Sequence, residues 1–455
     1  MTEDWRGDYS IDRLGEPRFR SPIHLGTEPG DLLADFTPDG ARVLAELDAA
    51  RAVEAARRGE TPAAFELAGP RERIYFDPAE LRAGIVTCGG LCPGLNNIVR
   101  GLVMTLCHGY GLREVLGFRY GYRGITPAGR EPLFLTPDAV VDLHREGGTR
   151  LGTSRGPQDP AEMVDQLERL GVGLLFAVGG DGTFRGALAL TEEIRRRDAR
   201  IAVIGIPKTI DNDIPLVDRT FGFRTAVERA AGAIRAARAE ARSAERGIGL
   251  VKLMGRHSGF IAATAALAVR TANLVLIPEL PFDLEGERGL FGYLEDRFRR
   301  DKPTVIVAAE GAGQDHLERA AATDASGNVR LGDIGQFLKR RITERFGDRM
   351  ELTLKYIDPS YIIRSAPANT DDAIFCGYLA QCAAHAGMSG RTGMAVGRAH
   401  NEFTHIPLAR LVSRRKQVDP EGHLWLAVLE STGQPFYLTN EPPKELARES
   451  FLPAG

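Results

Sequence analysis

Residues 174–183 read LLFAVGGDGT: five apolar residues, then Gly179-Gly180-Asp181-Gly182-Thr183. So short an apolar run suits a strand with both faces covered, and the glycines end it. The same grammar recurs on either side. Gly84–Thr87 runs into Cys88-Gly89-Gly90, and Ile201–Ile206 into Pro207-Lys208. Gly249–Lys252 and Thr304–Ala309 look alike. A helical period lies between, with Val227, Ala230, Ile234, Ala237 and Ala241 three or four residues apart. Strands alternating with helices predict an α/β fold with parallel sheets. In such sheets ligands bind beyond the carboxyl ends of the strands, where these Gly- and Asp-rich loops fall.

Composition narrows the function. The 455 residues include 52 Gly, more than average usage, and 43% are hydrophobic, enough for a large core. Length alone predicts two to four domains. The formal charge of −3 gives no basic footprint for nucleic acid. Seven lysines stand against 51 arginines, so a lysine inside a motif is notable. Five cysteines (Cys88, Cys92, Cys107, Cys376 and Cys382) with no second Cys/His pair favour reduced, buried thiols over disulfides or zinc. The first ten residues, MTEDWRGDYS, lack the apolar stretch of a signal peptide, and the most apolar run, around Phe260–Val269, is too short to span a membrane. A cytoplasmic protein with no nucleic-acid or membrane partner is expected.

Seven motifs carry candidate chemistry. Thr87–Asn96 (TCGGLCPGLN) is a Gly-rich turn before a helix starting near Asn96, where bare N–H groups attract phosphate; an empty tight turn is as good a reading. Gly147–Gly156 (GGTRLGTSRG) has the arginines and glycines of a phosphate loop, although a plain surface loop explains it as well. In Gly179–Thr183 an acid set among glycines at a strand end can hold Mg²⁺; the competing role is a helix cap. Gly205–Ile214 (GIPKTIDNDI) places Asp211 and Asp213 beside the scarce Lys208, which favours phosphate chemistry over a simple Asx turn. Lys252–Gly259 (KLMGRHSG) offers Arg256 to a phosphate; His257 is given no role. Ala309-Glu310-Gly311 could accept sugar hydroxyls, and Lys355–Arg364 (KYIDPSYIIR) could clamp a sugar phosphate or form surface pairs.

In this order and spacing, GGLCPGLN, GGTRLGTSRG, GGDGT, PKTIDND, LMGR, AEG and YIIR resemble the 6-phosphofructokinase family, from about Arg82 to beyond Gly397. HLWLAVLESTGQP (423–435) is similar to the C-terminal part of the longer plant and trypanosomatid branch. The resemblance implies Mg²⁺-dependent phosphoryl transfer from ATP to the 1-hydroxyl of fructose 6-phosphate. It implies Asp211 as general base and Asp181 as metal ligand, with Thr209, Arg256 and Lys208 also at the chemistry. Gly89, Gly90, Arg155, Gly156, Gly180, Asp181, Gly182 and Thr183 would meet the nucleotide phosphates. Thr209, Ile210, Asp211, Met254, Gly255, Arg256, Glu310, Lys355, Tyr361 and Arg364 would meet the sugar phosphate.

The implied fold is two Rossmann-like lobes with mostly parallel sheets and the active site in the cleft between them. The implied division is an extension over 1–81, a nucleotide lobe over 82–222 with a returning segment at 363–410, a sugar-phosphate lobe over 223–362, and a C-terminal extension over 411–455. Homodimers or homotetramers are expected, often with effector sites at their interfaces. Where short bacterial members carry an arginine that reaches the neighbouring subunit, this chain has Gly247, with Arg246 one residue off.

Gly182 together with Lys208 is the pairing of the ATP-using plant and trypanosomatid branch. Pyrophosphate enzymes pair Asp with Lys at these positions, so pyrophosphate is the alternative donor. A sensor of the same fold would be expected to lack Asp181 or Asp211, and both are present. A lipid or NAD kinase reading based on GGDGT leaves PKTIDND, LMGR and YIIR unexplained.

Overall fold

A computed structural model describes residues 7–28, 30–317 and 330–441. Thr323–Gly332 (TDASGNVRLG) reads in the sequence as a turn-rich insertion, and most of it lies outside the described residues, as do 442–455 and the first six. Two compact units emerge. The first takes the described residues of 7–225 and 364–416; the second takes 226–317, 330–363 and 417–441.

The first unit is built on a nine-stranded sheet. Its centre is parallel, in the order Met394–Ala399, Ala202–Pro207, Val172–Gly179, Arg82–Thr87, Glu114–Phe118. Alternation along Val172–Gly179 shows why the sequence reads as continuously apolar. Leu174, Phe176 and Val178 enter one core with the helices Leu95–Met104 and Thr370–Met388. Leu175 and Ala177 enter the opposite core with Pro160–Arg169 and Asp181–Arg196. A polar residue on either face would be buried without water, so none is tolerated.

The edges depart from the sequence reading. Leu133–Phe134 adds an antiparallel strand at one side, and Glu402–Pro407, Ala64–Leu67 and Arg42–Leu44 add three at the other. Residues 41–58 have a helical composition, yet only Ala49–Arg57 is a helix; the Asp48 carboxylate caps it by accepting from the Ala50 and Arg51 N–H groups.

A buried ionic knot fixes these edge strands. Glu66 Oε1 accepts from Arg391 Nε, from Arg71 at 3.4 Å and from His405 Nδ1 at 3.1 Å, and all four side chains are nearly inaccessible to water. Arg391 also bonds Asp39 at 2.8 Å and the Ser389 hydroxyl at 2.7 Å. Burial alone would raise the Glu66 pKa, but His405 and Arg391 outweigh it and hold the carboxyl far below its usual range. Burial pushes His405 down to about 4, so it is neutral at pH 7. Both folded-state pKa values lie below their unfolded ones. Their contribution is therefore complete above the ordinary histidine pKa and is lost as pH falls, first through His405 and then through Glu66. Glu66→Gln removes the buried carboxylate and leaves Arg391 with the half-exposed Asp39 as its counter-charge, and should cost ~3 kcal/mol of stability. Denaturant titration at pH 7 and pH 5 should show the wild type losing stability toward pH 5. An unchanged midpoint in the variant would refute this account of the knot.

The second unit has a four-stranded parallel sheet in the order Leu274–Leu276, Thr304–Ala309, Gly247–Leu253, Thr353–Ile357. Ile248, Leu250, Ile306 and Ala308 pack with Leu290, Leu294, Phe298, Leu338 and Ile342 from the helices Leu290–Arg299 and Ile334–Phe346. Among the described residues no helix is long and apolar enough to cross a membrane.

Candidate active site

Three of the seven motifs emerge side by side because their strands are neighbours. Thr87 pairs with Val178, and Pro207 with Gly179, so the loops after residues 87, 179 and 207 leave the same edge of the sheet. Backbone bonds continue beyond the strands: Cys88 N–H to Val178 O at 2.9 Å, and Lys208 N–H to Gly179 O at 3.0 Å. Gly89 has φ +84°, a left-handed conformation that costs glycine little, and a Cβ there would stand 3.2 Å from Lys208 Nζ. The Lys208 ammonium bonds Gly90 O at 2.9 Å, and the side chain is buried, which lowers its pKa against the pull of nearby acidic groups including Asp211. Held at the glycine turn, the Lys208 amine is positioned to bond an anionic ligand.

The GGTRLGTSRG segment closes over the same turn. Ser154 O accepts from Gly89 N–H, the Thr153 hydroxyl donates to Gly89 O, and the Thr87 hydroxyl donates to Gly152 O. A Cβ on Gly90 would meet Arg155 Nη2 at 3.6 Å, so the exposed guanidinium stands over the glycine turn; Gly156 follows with φ +100°. Gly180 caps the helix Asp181–Arg196, which puts Asp181, Gly182 and Thr183 in its first turn. Gly182 faces open space, whereas Thr183 is buried and its carbonyl accepts from the Tyr122 hydroxyl at 2.7 Å.

The loop after Lys208 is braced from within. The Thr209 hydroxyl donates to Asp213 Oδ1 at 2.8 Å and accepts from Asp211 N–H at 3.2 Å. Asn212, at φ +57°, accepts from Thr220 N–H at 3.0 Å, and the Thr220 hydroxyl donates to Thr209 O at 2.6 Å. Ile210 packs against the core below, so the loop's shape is set before any ligand arrives.

In the second unit the LMGR and AEG turns are joined by their backbones. Glu310 N–H donates to Leu253 O at 2.8 Å and Gly311 N–H to Gly255 O at 3.0 Å. Met254, Gly255 and Arg256 thus sit beside Glu310 at adjacent strand ends. Lys355 lies differently: it is exposed in the middle of the edge strand Thr353–Ile357, opposite Gly249. Tyr361, 73% exposed, and Arg364 share the short helix Ser360–Arg364. A Cβ on Gly247 would lie 2.0 Å from Ala241 O, so no arginine fits there; Arg246 precedes it at φ +47°.

Two features escaped the sequence reading. Lys252 Nζ bonds Asp358 at 2.8 Å and approaches Asp333 at 3.4 Å, and Asp358 in turn accepts from Ser360 N–H at the start of the Tyr361 helix. Burial would lower Lys252, but the Asp358 bond outweighs it and raises the pKa, keeping the ammonium charged. A scarce lysine directly before LMGR was the available signal. The second is Arg415, which reaches Asp181 at 3.3 Å from the Ser413-Arg414-Arg415-Lys416 run that no motif contained. All five cysteines are unpaired by disulfides. Burial pushes the Cys88 thiol up to about 12 and raises Cys92 too, so neither is a ready nucleophile.

Comparison with known proteins agrees with this architecture. The phosphofructokinase family model matches residues 82–386. An ATP-dependent 6-phosphofructokinase of Amycolatopsis methanolica is 48% identical over 437 residues, covering 94% of this chain and 95% of the relative. A Trypanosoma brucei brucei enzyme of the same name is 49% identical over 380 residues, covering 82% and 77%. An Arabidopsis thaliana ATP-dependent 6-phosphofructokinase 1 is 49% identical over 379 residues, covering 82% and 80%. Among solved structures, a pyrophosphate-dependent phosphofructokinase from Marinobacter aquaeolei superposes with TM-score 0.65 at 20% identity, over 77% of this chain and 91% of that one. Pichia pastoris phosphofructokinase does so with TM-score 0.62 at 22% identity, over 78% and 37%. At such identities the superpositions speak for the fold, while the sequence matches carry the kinship: this chain belongs to the phosphofructokinase family.

Proposed function

We propose that the protein transfers the terminal phosphoryl group of ATP to the 1-hydroxyl of fructose 6-phosphate, giving fructose 1,6-bisphosphate and ADP, as a step of glycolysis in the cytoplasm. The observation that carries this reading is the adjacency of three strand-end loops, which gathers Gly89, Gly90, Asp181, Lys208 and the 209–213 loop at one sheet edge. Phosphoryl transfer needs positioning and charge neutralisation more than covalent chemistry, and this set supplies both.

The donor set suits Mg²⁺. Asp181 is partly exposed and meets the guanidinium groups of Arg185 at 3.0 Å and Arg415 at 3.3 Å. Among the described residues no three His, Cys, Asp or Glu side chains cluster as a full metal cage. One carboxylate completed by water and phosphate oxygens is the arrangement that Mg²⁺ accepts. Asp181 would hold the ion, which when bound neutralises charge on the donor's outer phosphates.

The chain's own residues do the rest. Gly89, Gly90, Gly180, Gly182 and Thr183 present backbone to the nucleotide phosphates, with Arg155 above the glycine turn and Gly156 beside it. Lys208 balances charge on the phosphoryl group in transfer. Asp211 accepts the proton of the attacking hydroxyl, and Thr209 and Ile210 shape its loop. Met254, Gly255, Arg256, Glu310, Lys355 and Tyr361 of the second unit and Arg364 of the first bind the sugar phosphate. In this reading the first unit binds the nucleotide, and the protein works as a homodimer or homotetramer.

A coupled assay of purified protein with fructose 6-phosphate, offering ATP and pyrophosphate separately, tests the proposal. ADP release dependent on the sugar phosphate is expected. Turnover with pyrophosphate alone, which Lys208 would also suit, would overturn the choice of donor. Arg364→Ala should raise KM for fructose 6-phosphate by ~10-fold or more, the loss of a hydrogen bond to a charged group, and leave KM for ATP within about twofold. The reverse pattern in steady-state kinetics would place Arg364 on the nucleotide side.

A further inference from the structure

Arg415 comes from far along the chain to the two acidic loops of the first unit. Its Nη2 lies 3.3 Å from Asp181 Oδ2, and its Nη1 lies 4.0 Å from Asp213 Oδ2. The segment that carries it is fixed next door. Lys416 N–H donates to Asp213 O at 2.8 Å, and the Lys416 ammonium bonds Val217 O at 2.8 Å and Asp218 O at 3.0 Å. The Arg415 backbone is thus held beside the 208–218 loop, while its side chain keeps 35% exposure and room to turn. Arg185 also meets Asp181, at 3.0 Å, but as a neighbour on the same helix with a 65% exposed side chain, a pair of small worth.

We propose that Arg415 is a phosphate-binding residue of the donor site. It pairs with Asp181 and Asp213 while no nucleotide is bound, and turns to the donor's phosphate oxygens when the Mg²⁺–nucleotide complex arrives. This rests on the reading that Asp181 holds Mg²⁺ and a nucleotide. The charges dictate the exchange. A dication on Asp181 removes the attraction that holds the guanidinium and repels it. The triphosphate, still net negative with one Mg²⁺, offers planar pairs of oxygens that match guanidinium geometry. Without nucleotide the same arginine lowers the repulsion between two carboxylates of neighbouring loops.

Calorimetric titration with Mg²⁺ and a non-hydrolysable ATP analogue tests this on wild type, Arg415→Ala and Arg415→Lys, with KM for both substrates measured alongside. Arg415→Ala should weaken analogue binding ~10- to 100-fold, the loss of one charge-assisted contact. KM for fructose 6-phosphate should stay within about twofold, and Arg415→Lys should recover part of the affinity. A merely structural role would move both KM values together and would not be rescued by charge. Thermal melting checks folding; should Arg415→Ala fail to fold, Arg415→Gln replaces it with the same expectation. Unchanged or tighter binding in the charge-free variant would show that Arg415 only competes with the metal, and would sink the proposal alone. A wild type that binds no Mg²⁺–analogue would sink the donor-site reading itself.

Discussion

Asp211→Asn should lower kcat by at least ~10²-fold, the usual scale of general-base assistance, with little change in either KM. The substitution keeps shape and removes basicity. The loop that carries Asp211 is braced by groups the change leaves in place: the Thr209 hydroxyl on Asp213, the Asn212 side chain on Thr220 N–H, and Lys416 N–H on Asp213 O. Asp211 contributes its own N–H to Thr209, and asparagine retains it. The fall should therefore appear in the chemical step and not in stability. Equal losses in kcat and in kcat/KM are the signature of an interaction made only in the transition state. Near-normal kcat would remove Asp211 from the chemistry and turn attention to Asp213, whose carboxylate the structure already commits to Thr209.

Gly182→Asp should reduce kcat/KM for ATP by ~10²-fold or more, about 2.7 kcal/mol in the transition state. The structure gives this prediction a clean reading. A Cβ at Gly182 meets nothing within 4 Å, so the new side chain has room. It would sit in the first turn of the helix Asp181–Arg196, where a carboxylate is favourable to the helix dipole, so folding should not suffer. What remains is its effect on the ligand. In the proposed donor site, a second negative charge next to Asp181 would border the path of the nucleotide's inner phosphate and repel it. Pyrophosphate has no inner phosphate and should be hindered less, all the more because Lys208 is already in place. Mg²⁺ dependence should persist, since Asp181 is untouched. Equal loss of both donors would show that Gly182 does not discriminate between them.

The parallel core was legible because its strands are buried on both faces. Leu174–Val178, which runs into glycine, and Thr304–Ala309, between Pro303 and Glu310, read as short apolar runs, and each lies in a strand. The helical period from Val227 to Ala241 falls within the helix Phe223–Arg242. The antiparallel edges were not legible. Ala64–Leu67 buries Glu66, a residue that looks like surface until Arg391 and His405 arrive from more than three hundred positions away. The candidate site shows the same limit. Gly-rich loops at strand ends are local signals, so the motifs could be found one by one. Their adjacency depends on strand order, which sequence periodicity does not encode. Arg415 and Lys252 were missed because their partners are distant acids and not neighbours in a motif.

Phosphorus NMR of the purified protein with Mg²⁺, ATP and fructose 6-phosphate tests most directly whether ATP gives its terminal phosphoryl group to the sugar's 1-hydroxyl, because it identifies both products in one spectrum. ADP and fructose 1,6-bisphosphate should grow in equal amounts, with no inorganic phosphate beyond background. ATP left intact while added pyrophosphate is consumed, or a phosphate appearing at another hydroxyl, would contradict that transfer.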